Sequence, residues 1–286
     1  MIEFWKYHGT GNDFIVIDDF EGEIELGSSV IARFCDRHFG IGADGLLMVR
    51  KDSKHGDFRM DYWNSDGSSA EMCGNGIRCF VKHIVDMGFV RGPEIIVQTR
   101  AGPKRCKVFA DEMRNTVEQV EVDMGPAEVL NGVSGVPTKA LDSLWLTTDH
   151  GKMEFKRVSM GNPHAVTFDI GPDAETALTI GPMMEKNPAF KHGTNVEFAK
   201  IVSGTVLELA VWERGCGLTL SCGTGACAAA LAAVVAEKME AGRDLEIILP
   251  GGRLNVNIEP DFSHIWLKGP AVRVFKGQVR GFEDIL

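Results

Sequence analysis

The sequence predicts an α/β (α+β) fold in two similar domains, each strand-rich and built around one buried helix. Three observations predict it. At 286 residues the chain is about twice the roughly 150 residues of a typical domain. Landmarks of the first half return in order in the second: Gly11-Asn12-Asp13 as Gly161-Asn162-Pro163, Tyr62-Trp63-Asn64 as Val211-Trp212-Glu213, and Cys73-Gly74-Asn75-Gly76 as Cys222-Gly223-Thr224-Gly225. The offset is 150 residues at the first landmark and 149 at the other two, a constancy that chance recurrence of Gly-Asn or Cys-Gly pairs would not keep. Finally, each Cys-Gly-x-Gly loop runs straight into an apolar helical stretch, with short strand-like runs on either side.

Taken in order, Phe14–Asp18 reads as a strand, and Ser28 or Ser29 as the cap of a helix running to about His38. Short strands separated by Gly, Asp and Asn turns are expected at 46–50, 58–63, 94–99, 104–110 and 116–122. Ile77, Phe80, Val81 and Ile84 stand at helical spacing, with Gly88 as the stop. In the second half Ala226–Ala241 reads as a long helix ended by Gly242, its many alanines suited to packing on all sides. Strands follow at 245–249, 253–258 and 264–268.

Thirty basic against forty acidic residues give a formal charge of -10, which disfavours a nucleic-acid partner because a grip on phosphates needs clustered Lys and Arg. The longest apolar run, Ala226–Ala236, is far short of the ~20 residues that span a bilayer. No secretory leader is read at the start, and the expected compartment is the cytoplasm. Seven cysteines, an odd number, argue against a full disulfide framework; none forms a Cys-x-x-Cys pair, and no metal site is expected. The stretch Gly40 to Gly45 reads Gly-x-Gly-x-x-Gly, but a helix precedes it and a strand follows, the reverse of a dinucleotide fingerprint.

The chemistry sits in the two cysteine loops. A cysteine just before a helix N-terminus meets the positive end of the helix dipole, which favours thiolate and is expected to lower its pKa. Glycines beside it let backbone N–H groups approach a carboxylate closely. Two such loops on one ligand would suit proton abstraction beside a carboxylate: a thiolate takes the α-proton on one face and a thiol returns one on the other, inverting the centre. One thiol must then be charged and the other neutral. A buried core cysteine or a redox disulfide are the alternatives for Cys73 and Cys222. Cys35, Cys79, Cys106 and Cys227 read as core residues, and Cys216 as a turn residue without a role.

The motifs Gly9-Thr-Gly-Asn-Asp-Phe14, Gly40-Ile-Gly-Ala-Asp-Gly45, Asn64-Ser-Asp-Gly67, Glu71-Met-Cys-Gly-Asn-Gly-Ile-Arg78, Gly161-Asn-Pro-His164, Trp212-Glu-Arg-Gly215 and Ser221-Cys-Gly-Thr-Gly225 cover nearly the whole chain. Together they resemble the diaminopimelate epimerase family. The resemblance implies two pseudo-symmetric domains, each a mostly antiparallel strand-rich barrel wrapped around a central helix, with the site in the cleft between them. The expected bounds are 1–118 plus 275–286 for the N-terminal domain, which carries Cys73, and 119–274 for the C-terminal domain, which carries Cys222. The implied activity is cofactor-independent interconversion of LL-2,6-diaminopimelate and meso-diaminopimelate, in lysine and peptidoglycan precursor biosynthesis, by a homodimer acting on a small molecule and binding neither nucleic acid nor membrane. Carried onto this chain, the family pattern makes Cys73 and Cys222 the acid/base thiols, with His164 and Glu213 beside them. Gly74, Asn75, Gly223 and Thr224 would hold the reacting carboxylate, and Asn12, Asn64, Asn162, Asn195, Glu213 and Arg214 would bind the rest of the substrate. Arg214 fits the distal carboxylate because a guanidinium binds carboxylate bidentately. Some relatives carry a substrate-contacting Gln where this chain has Gly45.

Two other functions compete. A proline or hydroxyproline racemase would also use two thiols, but a cyclic substrate with one carboxylate has no use for a distal arginine; a phenazine-type isomerase of this fold lacks the paired cysteines. A thiol redox or binding protein would leave both thiols catalytically idle.

Overall fold

The computed structural model describes residues 1–52, 57–111, 113, 116–126, 141–149 and 151–280. They fall into two compact units, Met1–Val122 with Gly269–Leu286, and Asp123–Lys268. The breaks expected after 118 and 274 fall inside strands, one running Thr116–Asp123 and the other Val272–Val279, whose ladders belong to the first unit. Residues 281–286 of the expected N-terminal domain lie outside the described residues.

The first unit carries β1 (Ile2–Gly9), β2 (Asn12–Asp18), α1 (Ser28–Cys35), β3 (Gly45–Lys51), β4 (Phe58–Asn64), β5 (Ser69–Ala70), α2 (Gly74–Asp86), β6 (Glu94–Thr99), β7 (Gly102–Asp111) and β8 (Thr116–Asp123). The second carries β9 (Ser143–Thr148), β10 (Gly151–Ser159), β11 (Pro163–Thr167), α3 (Ala174–Glu185), β12 (Asn195–Ser203), β13 (Val206–Glu213), β14 (Gly217–Thr219), α4 (Gly223–Val235), β15 (Asp244–Leu249), β16 (Gly252–Ile258) and β17 (Ile265–Pro270). The last strand, β18 (Val272–Val279), pairs with β1 in the first unit.

The internal repeat is visible in the hydrogen-bond ladders. In the first unit β18, β1, β2, β3, β4, β6, β7 and β8 pair in that order, antiparallel except for the parallel β2–β3 and β4–β6 pairs. In the second, β9, β10, β11, β12, β13, β15, β16 and β17 repeat the same run of orientations, with β11–β12 and β13–β15 parallel. Register repeats as well: Trp63 lies opposite Leu46 and Ser69, and Trp212 opposite Val196 and Leu218. The sequence landmarks therefore mark equivalent places in two copies of one α+β topology.

Each copy wraps strands around one helix. α2 buries Ile77, Phe80, Val81 and Ile84 against β1, β2, β3, β7 and β18, and stops where Gly88 takes φ +76°. α4 packs against β10, β11, β12, β13, β15 and β16 and is buried on every side except at Thr224 and its last residue, Val235, which is why small alanines fill it. It ends at Val235, six residues before the expected Ala241, because Glu237 takes a left-handed φ of +56° and the Lys238 amide turns back to Ala233 O. α1 also differs from expectation. Gly27 is its N-cap with no side-chain bond from either serine, and it stops at Cys35 because Asp36 turns outward and its carboxylate accepts the His38 and Phe39 amides.

Candidate active site

Cys73 and Cys222 occupy the same position in the two copies. Each is the N-cap of its central helix, in extended backbone, and each sulfur accepts the amide N–H of the third helical residue, Gly76 or Gly225, at 3.4 Å. An N-capping sulfur lies where the first-turn N–H groups have no intrahelical acceptor, so the loop offers both a thiol and amide donors to an anion.

In the first unit the groups around Cys73 are amides held by ions. Cys73 Sγ stands 3.7 Å from Asn12 Oδ1, which also accepts from Asn75 Nδ2 at 3.3 Å. Asn12 Nδ2 donates to Asp44 at 2.8 Å, and Arg37 holds both Asp44 and Asp13. Lys6 and Arg37 keep the Asp13 carboxyl far below the usual carboxylate range against its partial burial. From below, the fully buried Arg78 donates to Asn75 Oδ1 at 2.8 Å, to Gly74 O at 2.9 Å and to Pro270 O at 3.3 Å. Asn64, at the end of β4, accepts from Tyr62 Oη at 2.9 Å and donates to Ser68 at 3.0 Å.

In the second unit the groups around Cys222 are acids. Glu213 lies beside Cys222, its Oε1 accepting from Thr219 Oγ1 at 2.6 Å, and Thr224 Oγ1 stands 3.5 Å from the Cys222 sulfur. The lowered thiol pKa expected from the helix dipole is not found here. Burial first, and then the neighbouring Glu213 and Glu197 carboxylates, push Cys222 well above the ordinary thiol value, and burial likewise raises Glu213. The dipole of one helix end does not offset desolvation beside two acids.

His164 is fully buried on β11, its Nδ1 2.7 Å from Glu197 Oε1 and its Nε2 3.0 Å from Asn162 Oδ1. Asn195 Oδ1 accepts the Arg214 amide at 2.8 Å, while the exposed Arg214 side chain runs over Gly193 to His192 O. Glu185 of α3 fixes this loop by accepting from Trp212 Nε1 at 2.7 Å and from the Gly215 amide at 3.0 Å. Thus Asn12, Gly74 and Asn75 gather at Cys73 and Glu213, Gly223 and Thr224 at Cys222, while His164 and Asn162 join the second group through Glu197. Asn64, Asn195 and Arg214 are tied to their own strand ends instead.

Sequence reading overlooked Glu197, Arg78 and Glu185. Glu197 had a signal, an acid inside the otherwise apolar run Val196–Ala199; Arg78, one turn beyond Asn75, looks like any helix-surface arginine until its burial is seen. Of the remaining cysteines, Cys35, Cys79, Cys106 and Cys227 are buried and Cys216 is exposed; burial pushes Cys35 and Cys79 up to about 12. Among the described residues no cluster of His, Cys, Asp or Glu has the arrangement of a metal site, and no helix is long and apolar enough to cross a membrane.

The family model for diaminopimelate epimerase matches residues 4–130 and 157–274. The chain belongs to the diaminopimelate epimerase family. It is 40% identical to the diaminopimelate epimerase of Acetivibrio thermocellus over 97% of this chain and 98% of that one, and 40% identical to that of Synechococcus sp. (strain JA-2-3B'a(2-13)) over 98% and 99%. Among solved structures, a probable proline racemase from Agrobacterium radiobacter K84 matches with TM-score 0.73 at 16% identity, over 98% of this chain and 93% of that one. A PhzF-family phenazine biosynthesis protein from Bacillus anthracis matches with TM-score 0.66 at 15% identity, over 97% and 98%. At such identities these two share the fold with this epimerase-family chain and no more.

Gly45 has a local reason. A Cβ there would lie 2.6 Å from Trp63 O and 2.7 Å from the Tyr62 ring, so the close β3–β4 crossing excludes a side chain.

Proposed function

We propose that this isomerase interconverts LL-2,6-diaminopimelate and meso-diaminopimelate without a cofactor, using Cys73 and Cys222 as its two acid/base groups. The observation that carries the reading is the matched pair of N-capping thiols, each followed by Gly-x-Gly at the start of a buried helix, in equivalent places of two copies of one fold. A thiolate removes the α-proton, the electron pair passes into the adjacent carboxylate, and the opposite thiol delivers its proton to the other face of the carbon. The product has the inverted centre, and the two sulfurs have exchanged protonation states. Amide N–H groups of the two helix first turns, with Asn75 and Thr224, stabilise the charge that builds on the carboxylate.

In this reading Cys222 rests as the protonated thiol, since its surroundings oppose a second negative charge. His164 and Glu213 set that protonation and meet the substrate amine. Asn12, Asn64, Asn162 and Asn195 bind the remaining polar groups, and the Arg214 guanidinium takes the distal carboxylate. The two compact units act as the two epimerase domains. Seven free cysteines accord with a reducing compartment, here the cytoplasm, and the family likeness supports a homodimer working in lysine and peptidoglycan precursor synthesis.

Incubation of the reduced, purified protein with LL-diaminopimelate tests the proposal: meso product forms, with deuterium at one α-carbon when the solvent is deuterated. Absence of both product and exchange would refute it.

A further inference from the structure

Of the groups gathered around Cys222, Glu197 is the one the expected site leaves out. It lies on β12 at the middle of a fully buried run, where Val196 and Phe198 join the cluster on one face of the sheet and Ala199 joins the core around α4 on the other. Glu197 alternates with Val196 and Phe198 and so faces α4, close enough that a Cβ on Gly225 would come within 2.9 Å of its Oε1. Its side chain is fully buried. Oε1 is hydrogen-bonded to Nδ1 of the His164 ring, while Oε2 has no hydrogen-bond partner among the described residues.

The hydrogen count of this group follows from its contacts. Asn162 presents its amide oxygen to His164 Nε2, so Nε2 bears hydrogen and donates. A second hydrogen must lie between Nδ1 and Glu197 Oε1, because two bare acceptors would not approach to 2.7 Å. His164 and Glu197 together are therefore electrically neutral, as imidazolium with carboxylate or as their neutral forms. Burial, which pushes the Glu197 carboxyl up, favours the same neutral count, and the orphaned Oε2 is a poor place for uncompensated charge. Glu213 from β13 and the Cys222 thiol at the N-terminus of α4 are the other titratable groups facing the pair.

We propose that Glu197 is a positioning residue of the second thiol site: it keeps a hydrogen on each nitrogen-to-oxygen link of the chain Glu197–His164–Asn162, and so fixes the Asn162 amide with its oxygen inward and its NH2 group turned to the ligand. At the equivalent place in the first unit the pair is Leu47 and Phe14, 150 residues earlier, and there Asn12 is fixed instead by Asp44 and Asn75. The proposal assigns to Glu197 the work that Asp44 and Asn75 do for Asn12. Its activity arm rests on the two-thiol function; its spectroscopic arm does not.

The test compares wild type with Glu197→Gln and Glu197→Asp. In the ligand-free wild-type protein, nitrogen NMR of the His164 ring at pH 8, above the ordinary imidazole value of ~6.5, should show Nε2 bonded to hydrogen and a strongly hydrogen-bonded proton at Nδ1. Glu197→Gln, isosteric but unable to share that proton, should lose the second signal, leaving Nδ1 without hydrogen while Nε2 keeps its own. Its kcat/KM should fall by roughly 10²-fold, the cost of misplacing a substrate contact, with an altered pH profile and an unchanged melting temperature. Glu197→Asp keeps a carboxylate and should recover part of both readouts. If Glu197→Gln leaves the His164 spectrum as in wild type, or if Gln and Asp lower activity equally and only in step with lost stability, Glu197 is merely structural and the proposal is wrong. Intact spectroscopy in a protein with no epimerase activity would instead overturn the function and leave Glu197's place in the hydrogen-bonded chain standing.

Discussion

A methyl group added to Gly76 in the first turn of α2 would meet Leu47 Cδ2 at 3.4 Å and Phe14 at 3.5 Å; added to Gly225 in the first turn of α4, it would meet Glu197 Oε1 at 2.9 Å. The two thiol loops share backbone, capping geometry and strand register, but one is floored by hydrocarbon and the other by acids. What surrounds the sulfur differs accordingly: amides locked by Arg78, Asp44 and Arg37 at Cys73, and the carboxyls of Glu213 and Glu197 at Cys222. A duplicated fold thus supplies two copies of the capped thiol while the side chains beneath give them different electrostatics. That is what a two-base reaction needs, since one thiol must be charged when the other is neutral.

The largest effects should come from removing either half of the comparison. Cys73→Ala and Cys222→Ala should each lower kcat by about 10²–10⁴-fold, the usual contribution of a positioned acid or base, with little change in melting temperature. Steady-state kinetics on either variant that matched wild type would remove that cysteine from the chemistry. Next in size is Arg214→Met, which should raise KM for diaminopimelate about tenfold or more through loss of a charge-assisted carboxylate contact, leaving kcat closer to wild type. An unchanged KM would mean that the distal carboxylate is bound elsewhere.

Glu213→Gln sharpens the electrostatic contrast. After burial, the charge of Glu213 is the largest influence raising the Cys222 pKa, so its removal lowers that pKa. Alkylation of Cys222 near pH 8 should then run several-fold faster, while Cys73 is unaffected. Stability should move in the same experiment. A carboxyl whose folded pKa is raised favours folding below its unfolded value of ~4.3 and loses that contribution as pH rises through the folded value. At pH 7 the Gln variant should therefore melt a few degrees higher than wild type. Asp13 has the opposite sign: its pKa is lowered, so its contribution is present above ~3.9 and is lost as pH falls toward the folded value. Acid titration of the melting temperature in Asp13→Asn should show a flatter acid limb than wild type.

The smallest effect is expected at Gly45. Introducing the Gln that some relatives carry should cost about 1–3 kcal/mol of stability, because Trp63 O and the Tyr62 ring occupy the side chain's space. Gly45→Gln should lower the melting temperature without lowering KM; a lower KM would show that this chain retains room for the contact.

Much of this was legible in the sequence because the repeat is written in residues that backbone geometry and chemistry both require. Cys73-Gly74-x-Gly76 and Cys222-Gly223-x-Gly225 mark helix starts as well as thiols, and strand 94–99 is bounded as its alternation predicts. Other elements were hidden for identifiable reasons. α3 carries Pro182 in its interior, which reads as a break. In the strand pair β9–β10 the first strand buries none of its residues and exposes Trp145, so only Met153 and Phe155 of β10 carry a core-facing alternation. Around Cys222 one acid was legible and one was not: Glu213 stands just ahead of the thiol in a recognisable motif, whereas Glu197 comes from β12, which the β12–β13 pairing rather than the sequence brings alongside.

The two-base claim is tested most directly by isotope partition in the first turnovers. With LL-diaminopimelate and reduced enzyme in deuterated water, stopped well before equilibrium, the meso product should carry deuterium at the inverted carbon while the remaining LL substrate carries none. Each face then has its own acid/base group, and the proton removed is never the one returned. Meso product that retains the original hydrogen at that carbon would require a single base serving both faces, and the pairing of Cys73 with Cys222 could not stand.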